Sequence, residues 1–276
     1  MSNQISPIYF DSAVKQKRLL RELKELVQYK DLIVQMTIRN ITVRYKRSLL
    51  GVIWTLLEPL MAMLVMAMVF SYILQRAIPN FAVYLLTALV VWGYFQSSTN
   101  SAMRDFSTGE RLVSRVYLPQ SIFIIVAIAT GLVNFLLEFI AVLVIVFITG
   151  VSLPLYSVTL ILPLIILTIF NLGLGLILAP LSAFYSDISN VYNILLRLLM
   201  YLSAIFYSID IMPDWLQKIV SLNPVYQFIH IFRSPIYYSV PIPLDALGYV
   251  SLWALGVLVL GVIIFMRLSD DIISRS

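Results

Sequence analysis

The stretch SIFIIVAIATGLVNFLLEFIAVLVIVFIT, residues 121–149, is apolar throughout except for a few small or polar side chains and one charged residue, Glu138. A transmembrane helix needs about 20 consecutive apolar residues, because the hydrocarbon core of a bilayer is about 30 Å thick. Lipid offers the backbone no hydrogen-bond partners, so a crossing segment of this kind must be helical. The stretch therefore predicts a transmembrane helix.

Five further apolar runs of spanning length flank this one. They occupy residues 52–74, 81–101, 158–185, 191–209 and 246–266. Hydrophobic residues make up 61% of the chain and charged residues 12%, which is more apolar surface than one soluble core can hide. We predict an all-α, polytopic membrane protein with six transmembrane helices.

The basic residues are distributed unevenly between the two sides of these runs. Of the 19 Lys and Arg residues, ten precede the first run, three lie between the second and third runs, and two follow the last, which places 15 on one side. The opposite side carries three: Arg76, Lys218 and Arg233. Because positively charged connections tend to stay in the cytoplasm, we expect both termini to be cytoplasmic.

The segment before the first run has two parts. Residues 1–30 are polar and are predicted to form a cytoplasmic tail. In residues 31–50, apolar side chains recur every three to four positions, which predicts an amphipathic helix in the cytoplasmic membrane interface. Its basic side chains are expected to meet lipid headgroups rather than nucleic acid: Arg39, Arg44, Lys46 and Arg47.

The connection between the second and third runs is strongly charged. Ser107 followed by Glu110 fits a capping box, and Pro119 marks the start of the next run. The pattern predicts a short helix over about residues 107–116 that a partner protein would contact. An ordinary solvated connector is the alternative interpretation.

The connection on the opposite side, about residues 212–240, is largely apolar but is interrupted by prolines. The pieces between them are about 10 to 13 residues long, too short to cross a bilayer. Such segments are tolerated at membrane depth only against protein or a wet cavity. We predict a hairpin of two short re-entrant helices.

Three ionisable residues fall within the apolar runs: Glu58, Glu138 and Arg197. Each is costly in lipid unless it faces protein, water or a partner. We favour a lock between helices over a transport pathway, since the sequence shows no larger converging cluster. Aromatic side chains are also plentiful, and four of them either pack ordinarily or line a channel: Phe70, Tyr72, Tyr201 and Phe206.

Several kinds of chemistry are not supported by the sequence. The chain has one histidine, His230, and no cysteine, so no multi-histidine or thiolate metal site is expected. It lacks the Gly-x-x-x-x-Gly-Lys-Ser/Thr loop that cradles nucleotide phosphates. We therefore expect neither catalytic residues nor a metal or cofactor held by this chain.

Three segments together resemble a known family. They are YKRSLLGVIWTLLEP (residues 45–59), ERLVSRVYLP (110–119) and IDIMPDWLQKIVSLNPVY (209–226). In this order and at these positions they are similar to the permease subunit of type-2 ATP-binding-cassette exporters, in particular the exporters of O-antigen and teichoic acid. The resemblance implies that residues 51–276 form a six-span permease domain of a homodimer in the bacterial cytoplasmic membrane.

The resemblance also implies roles for individual segments. Residues 107–116 look like the coupling helix that docks on a separate ATPase subunit, which would use ATP and magnesium; its residues are Ser107, Glu110, Arg111 and Arg115. The outer hairpin, with Asn223 and Pro224, looks like a gate. The implied substrate is a lipid-linked glycan, which enters beside the interface helix.

Two other functions compete with this interpretation. An exporter of the same architecture for a drug or a lipid would share every segment described above. An ion-coupled secondary transporter would depend instead on protonation of Glu58 or Glu138. A membrane-embedded transferase is the weakest alternative, because the sequence shows no converging acid, base and metal set.

Overall fold

The protein was analysed as a computed structural model that describes residues 22, 24–46, 51, 53–74, 78–113 and 118–275. These residues are almost entirely helical and contain no strand. The helices are α1 (Lys30–Tyr45), α2 (Ile53–Leu74), α3 (Phe81–Val113), α4 (Ser121–Thr149), α5 (Ile161–Phe184), α6 (Asp187–Tyr201), α7 (Asp214–Ser221), α8 (Pro224–Ile236) and α9 (Leu244–Arg275).

Four segments are long and apolar enough to cross a membrane. They lie in α3, in α4, in α5 with the 3-10 turn Leu155–Leu160 before it, and in α9. The prediction of an all-α membrane protein with several spanning helices is therefore confirmed within the described residues. The runs expected to give the first and fifth spans form α2, of 22 residues, and α6, of 15 residues.

Helix α6 ends earlier than the sequence predicts. The run 191–209 was expected to be one helix, but α6 ends at Tyr201, and Ala204 has a left-handed backbone with φ of 47°. The carbonyls of Leu202, Ala204 and Ile205 accept hydrogen bonds from side chains of the outer hairpin. Continued helix would have used those carbonyls itself, so these tertiary bonds replace the last turns.

Helix α3, by contrast, is longer than predicted. Ser107 was expected to cap a new helix, yet it lies inside α3 and its hydroxyl donates to the carbonyl of Met103 at 3.1 Å. The capping-box prediction is wrong, because the second span continues without a break to Val113. Residues 114–116 of the predicted coupling segment lie outside the described residues.

The close crossing of α5 and α9 organises one side of the bundle. A methyl group added at Gly173 would lie 2.6 Å from the backbone nitrogen of Leu258, and one added at Gly261 would overlap the Gly173 carbonyl. Small residues let transmembrane helices approach until their backbones touch, which maximises van der Waals contact where lipid provides no hydrophobic driving force. No larger residue therefore fits at either glycine while the two helices stay this close.

Hydrogen bonds between side chains connect the helices within the core. The Tyr192 hydroxyl of α6 donates to Thr99 of α3 at 2.7 Å, and the Tyr94 hydroxyl of α3 donates to Thr168 of α5 at 2.9 Å. Tyr192, Thr99 and Tyr94 are buried. Satisfied polar pairs of this kind fix the rotation of each helix about its axis.

A buried arginine holds the outer hairpin to the bundle. Arg233 of α8 is 2% exposed, and its guanidinium donates to the carbonyls of Tyr84, Ala204 and Ile205 at 3.1, 2.9 and 3.0 Å. The guanidinium carbon also lies 3.4 Å from the centre of the Tyr84 ring. The Tyr84 hydroxyl then donates to the carbonyl of Tyr207 at 2.8 Å. One side chain thus joins α8, the start of α3 and the segment after α6.

The Asn-Pro pair of the hairpin has a local structural role as well. The Asn223 side-chain oxygen accepts from the backbone nitrogen of Val225 at 2.9 Å, so Asn223 caps α8 and Pro224 occupies its first turn. The Asn223 amide donates to Ser203 at 2.9 Å and to the carbonyl of Leu202. The pair both starts α8 and fixes the chain that leaves α6.

The connections that alternating spans would place on one side of a membrane lie together, at the same end of the bundle as the hairpin. The Tyr237 hydroxyl donates to the carbonyl of Pro79, just before α3, at 2.7 Å. Ser239 donates to the carbonyl of Ser152, just after α4, at 3.2 Å. The start of α3, the end of α4 and the hairpin therefore lie together, while α1 packs on α4.

Replacing Gly173 with Ala is expected to destabilise the protein by about 1–3 kcal/mol, because the new methyl group would overlap the backbone of α9. The measurement is thermal unfolding of the detergent-purified protein. Gly256→Ala is the matched control, since a methyl group at this position of α9 meets open space. Equal melting temperatures for the two variants would contradict the close crossing.

Arg233→Gln is expected to cost about 3 kcal/mol or more, since three buried carbonyls lose a charged donor. Lys218→Gln, which removes an exposed cation from α7 of the same hairpin, is the control. Limited proteolysis of the hairpin and thermal unfolding are the measurements. An Arg233→Gln variant that matched the Lys218→Gln variant in both would show that the clamp is dispensable.

Candidate functional site

A cavity of about 890 Å³ lies among α1, α2, α3 and α4, at the end of the bundle away from the outer hairpin. Helix α1 supplies one wall of the cavity, and α2 contributes a short stretch around Pro59. Helix α3 contributes a long face from Leu89 to Gly109, and α4 contributes residues from Phe123 to Glu138. The cavity is thus bounded by the interface helix and the first three helices that follow it.

The lining of this cavity carries both signs of charge. Its cations are Arg39 and Arg44 of α1 and Arg104 of α3, and its anions are Glu58 of α2, Asp105 of α3 and Glu138 of α4. Charged side chains between transmembrane helices are stable only where they face water or one another. The cavity is therefore a charged space in which these side chains can face one another or water.

Glu138 occupies the inner part of the cavity. It is half-buried, and Glu58 and Arg44 are its main charged neighbours. A methyl group added at Gly93 would lie 3.5 Å from its carboxylate oxygen, so the carboxylate sits directly against the backbone of α3. Three helices therefore converge on this carboxylate.

The three ionisable residues predicted within the apolar runs separate into two groups. Glu58 and Glu138 both line the cavity. Arg197 is exposed on α6 and is not among the lining residues. Arg44 of α1, rather than Arg197, is the arginine whose charge acts on Glu138.

The four basic residues predicted to meet lipid headgroups also fall into separate groups. Arg39 and Arg44 line the cavity, and Lys46 is exposed directly after α1. Arg47 lies outside the described residues. Val34 and Ile38, on the predicted apolar face of α1, are exposed. Helix α1 thus lines the cavity with both arginines and apolar side chains, since Met36 and Val43 are also lining residues.

The predicted coupling residues lie at the far end of α3. Ser107 is half-buried, and Glu110 and Arg111 belong to the last turns of the helix, where the structure does not describe their side chains. Arg115 lies outside the described residues. This end of α3 borders the mouth of the cavity, because Thr108 and Gly109 are lining residues.

The structure describes the side chains of two of the four candidate channel aromatics. Tyr201 and Phe206 lie beside each other, with ring centres 6.4 Å apart, and Tyr201 is exposed. Phe70 and Tyr72 belong to α2, but their side chains lie outside the described part of the structure. Tyr201 and Phe206 lie at the outer end, close to the segment that Arg233 holds.

The outer hairpin gives its single histidine an aromatic environment. His230 stacks on Tyr226, with ring centres 6.0 Å apart. Burial, followed by the charge of Arg233, lowers the pKa of His230 below its ordinary value, so the ring is neutral at neutral pH. This histidine packs within the hairpin rather than facing the cavity.

Sequence reasoning missed the polar face of α3. Along this helix, polar and small residues recur every three to four positions and all line the cavity: Gly93, Gln96, Ser97, Asn100, Ser101 and Arg104. That spacing places them on one face of a helix. This spacing is visible in the sequence, but Arg104 is the one charged residue of the six. Attention to ionisable residues alone therefore does not reveal the face.

Comparison with known proteins gives a consistent family. Residues 31–237 match the ABC-2 type transporter family. The chain is 28% identical over 247 residues to the O-antigen export system permease protein RfbA of Myxococcus xanthus, covering 86% of this chain and 94% of that protein. It is 26% identical over 235 residues to the polysialic acid transport protein KpsM of Escherichia coli, covering 83% and 90%.

A third relative is the capsule polysaccharide export inner-membrane protein CtrC of Neisseria meningitidis, 23% identical over 256 residues, with 91% of this chain and 96% of that protein covered. The alignments with these three relatives run nearly the full length of each protein. The family match includes α1, the cavity walls and the outer hairpin. This chain is a multi-pass membrane protein that belongs to the ABC-2 type transporter family.

Proposed function

We propose that this chain is the channel-forming permease subunit of an ATP-driven exporter of a lipid-linked cell-surface polysaccharide. The observation that carries the proposal is the charged cavity between the interface helix and α2 to α4, in a chain whose relatives export O-antigen, polysialic acid and capsule polysaccharide. O-antigen, capsule and wall teichoic acid are the substrate classes that fit. Export of such a polymer serves cell-wall or surface biogenesis.

The topology that fits this role has six spans and cytoplasmic termini. Helices α2 and α6 act as the first and fifth spans, together with the four segments of spanning length. The hairpin of α7 and α8 re-enters the outer leaflet, because its two helices have only 8 and 13 residues. Residues 1–30 are the cytoplasmic tail, 31–50 the interface helix and 51–276 the permease domain.

Two copies of the chain enclose the channel. Apolar side chains on α2 and α6 face away from the bundle, including Met61, Leu64, Val191 and Leu198. Lipid and the second copy cover such faces in a membrane. Tyr201 and Phe206 then stand near the outer mouth of the channel, where aromatic rings stack on sugars.

ATP is hydrolysed by a separate subunit. The end of α3 and the connection that follows it carry the coupling residues and dock on an ABC ATPase, which binds ATP and magnesium. This chain contributes no catalytic residue, metal or cofactor of its own. Closure of two ATPase subunits moves the coupling connections, and the spans reorient around the cavity.

The phosphate-bearing end of the substrate enters through the cavity. Arg39 and Arg44 lie on the wall nearest the membrane interface, where a lipid-linked pyrophosphate resides. Arginine guanidinium groups bind phosphate through paired, charge-assisted hydrogen bonds. The neutral polar face of α3 suits the hydroxyl groups of the following sugars. The carboxylates Glu58 and Glu138 keep the inner part of the cavity from holding the anion permanently.

Purification of the tagged chain from its own cells in mild detergent is expected to yield a stoichiometric ABC ATPase subunit. Reversing the charges of Glu110 and Arg115 together should release that subunit, because both lie in the proposed docking segment. Reversal of Asp214 and Lys218, which are exposed on α7 at the opposite end, is the matched control. A chain that purifies alone and transports without ATP would contradict the proposal.

Arg44→Gln is expected to reduce polysaccharide export by about tenfold while the ATPase subunit stays bound, since a charge-assisted phosphate contact is lost. Arg267→Gln removes an exposed arginine of α9 and serves as the control. Surface polysaccharide and ATP hydrolysis are measured side by side. If Glu58→Gln abolished transport and Arg44→Gln had no effect, an ion-coupled mechanism would replace this one.

A further inference from the structure

The N-terminal segment makes a hydrogen bond to a distant part of the chain. The Ser121 hydroxyl donates to the Glu22 carboxylate at 2.8 Å, across 99 positions of sequence. Ser121 is the first residue of α4 and is buried. Glu22 precedes residues 31–237, the part of the chain that matches the transporter family. One partner of the contact, Glu22, therefore lies outside the matched region, and the other, Ser121, lies within it.

The start of α4 lacks a cap of its own. Gln120, at the N-cap, makes no side-chain capping bond, and the first turn of α4 contains no acidic residue. The Gln120 side-chain oxygen is buried without a hydrogen-bond partner. A carboxylate near a helix N-terminus is stabilised by the helix dipole and by the exposed backbone N–H groups. Glu22 supplies that charge from the N-terminal segment.

Glu22 lies two positions before a helical stretch that leads into the interface helix α1. Residues 24–28 are helical, Tyr29 N–H donates to the Glu25 carbonyl at 2.9 Å, and Ile33 N–H donates to the Tyr29 carbonyl at 3.0 Å. Helix α1 follows directly and carries Arg39 and Arg44 into the cavity. A displacement of Glu22 is therefore transmitted to one wall of the cavity.

The other partner belongs to the opposite wall. Ser121 opens α4, whose residues from Phe123 to Glu138 line the cavity. It also follows the proposed coupling segment, residues 107–116, by only five positions. Any movement of that segment reaches Ser121 before it reaches the rest of α4.

We propose that Glu22 is a positioning residue that latches α1 to the start of α4. The latch makes the two walls move as one unit when the ATPase subunit displaces the coupling segment. Without it, α4 moves while α1 and its arginines stay behind. This inference rests on the proposed function, because it assigns a regulation to the same cavity.

The first test compares three single variants in the purified complex with its ATPase subunit. Glu22→Ala and Ser121→Ala are each expected to reduce the polysaccharide exported per ATP hydrolysed by about threefold or more, since a hydrogen bond to a charged group is lost. The double variant should be no worse than either single one, because both remove the same contact. Lys24→Ala, an exposed position two residues from Glu22, is the control.

The outcomes of this test are distinct. Uncoupling confined to the Glu22 and Ser121 variants, with the complex intact on size-exclusion chromatography, supports the latch. Additive losses in the double variant, or a ratio equal to that of Lys24→Ala, overturn it. The wild-type complex tests the proposed function separately: a complex that neither hydrolyses ATP nor exports polysaccharide would refute that function, whereas a working wild-type complex with unaffected Glu22→Ala and Ser121→Ala variants would refute the latch alone.

A second test measures the proximity of the two positions directly. The chain has no cysteine, so Glu22→Cys with Ser121→Cys gives one defined pair for a short bifunctional thiol reagent. The pair is expected to cross-link efficiently and, once linked, to recover the coupling that the reduced pair has lost. No cross-link, or a cross-link that blocks export, would show that the two segments separate during the cycle and would overturn the proposal.

Discussion

The outer half of this fold depends on the burial of one guanidinium group. Arg233 lies among apolar and aromatic side chains, and three backbone carbonyls and the Tyr84 ring surround it. A cation in such a place is tolerable only when its donors are satisfied. Two of the carbonyls are available because the chain stops being helical after Tyr201. The buried charge and the broken helix therefore require each other.

This mutual requirement makes the two ends of the bundle mechanically different. At the outer end, Arg233 and Asn223 attach the hairpin to the segment after α6 by several short bonds. At the other end, a cavity of about 890 Å³ lies among α1, α2, α3 and α4. Close-packed regions have few alternative arrangements, whereas a cavity leaves its lining side chains room to move. Movement is therefore expected to begin at the cavity.

The sequence predicts the spanning helices well, because long apolar runs have few alternatives in lipid. It predicts the secondary structure wrongly where that structure depends on contacts with residues distant in sequence. Run 191–209 is apolar throughout most of its length, yet its last part is not helical, because Arg233 and Asn223 bind its carbonyls. Arg233 itself was counted only as an outer positive charge. Ser107 has a capping pattern, but the continuous packing of α3 overrides it.

The candidate site was predictable in its parts and not in its assembly. Glu58 and Glu138 stand out as charges in apolar runs, and the arginines of α1 stand out as a basic cluster. No sequence pattern places Arg44 near Glu138 in preference to Arg197, since that choice depends on how α1 packs on α4. The same packing brings Glu22 to Ser121. The position of α1 therefore determines both the charge balance of the cavity and its connection to the coupling segment.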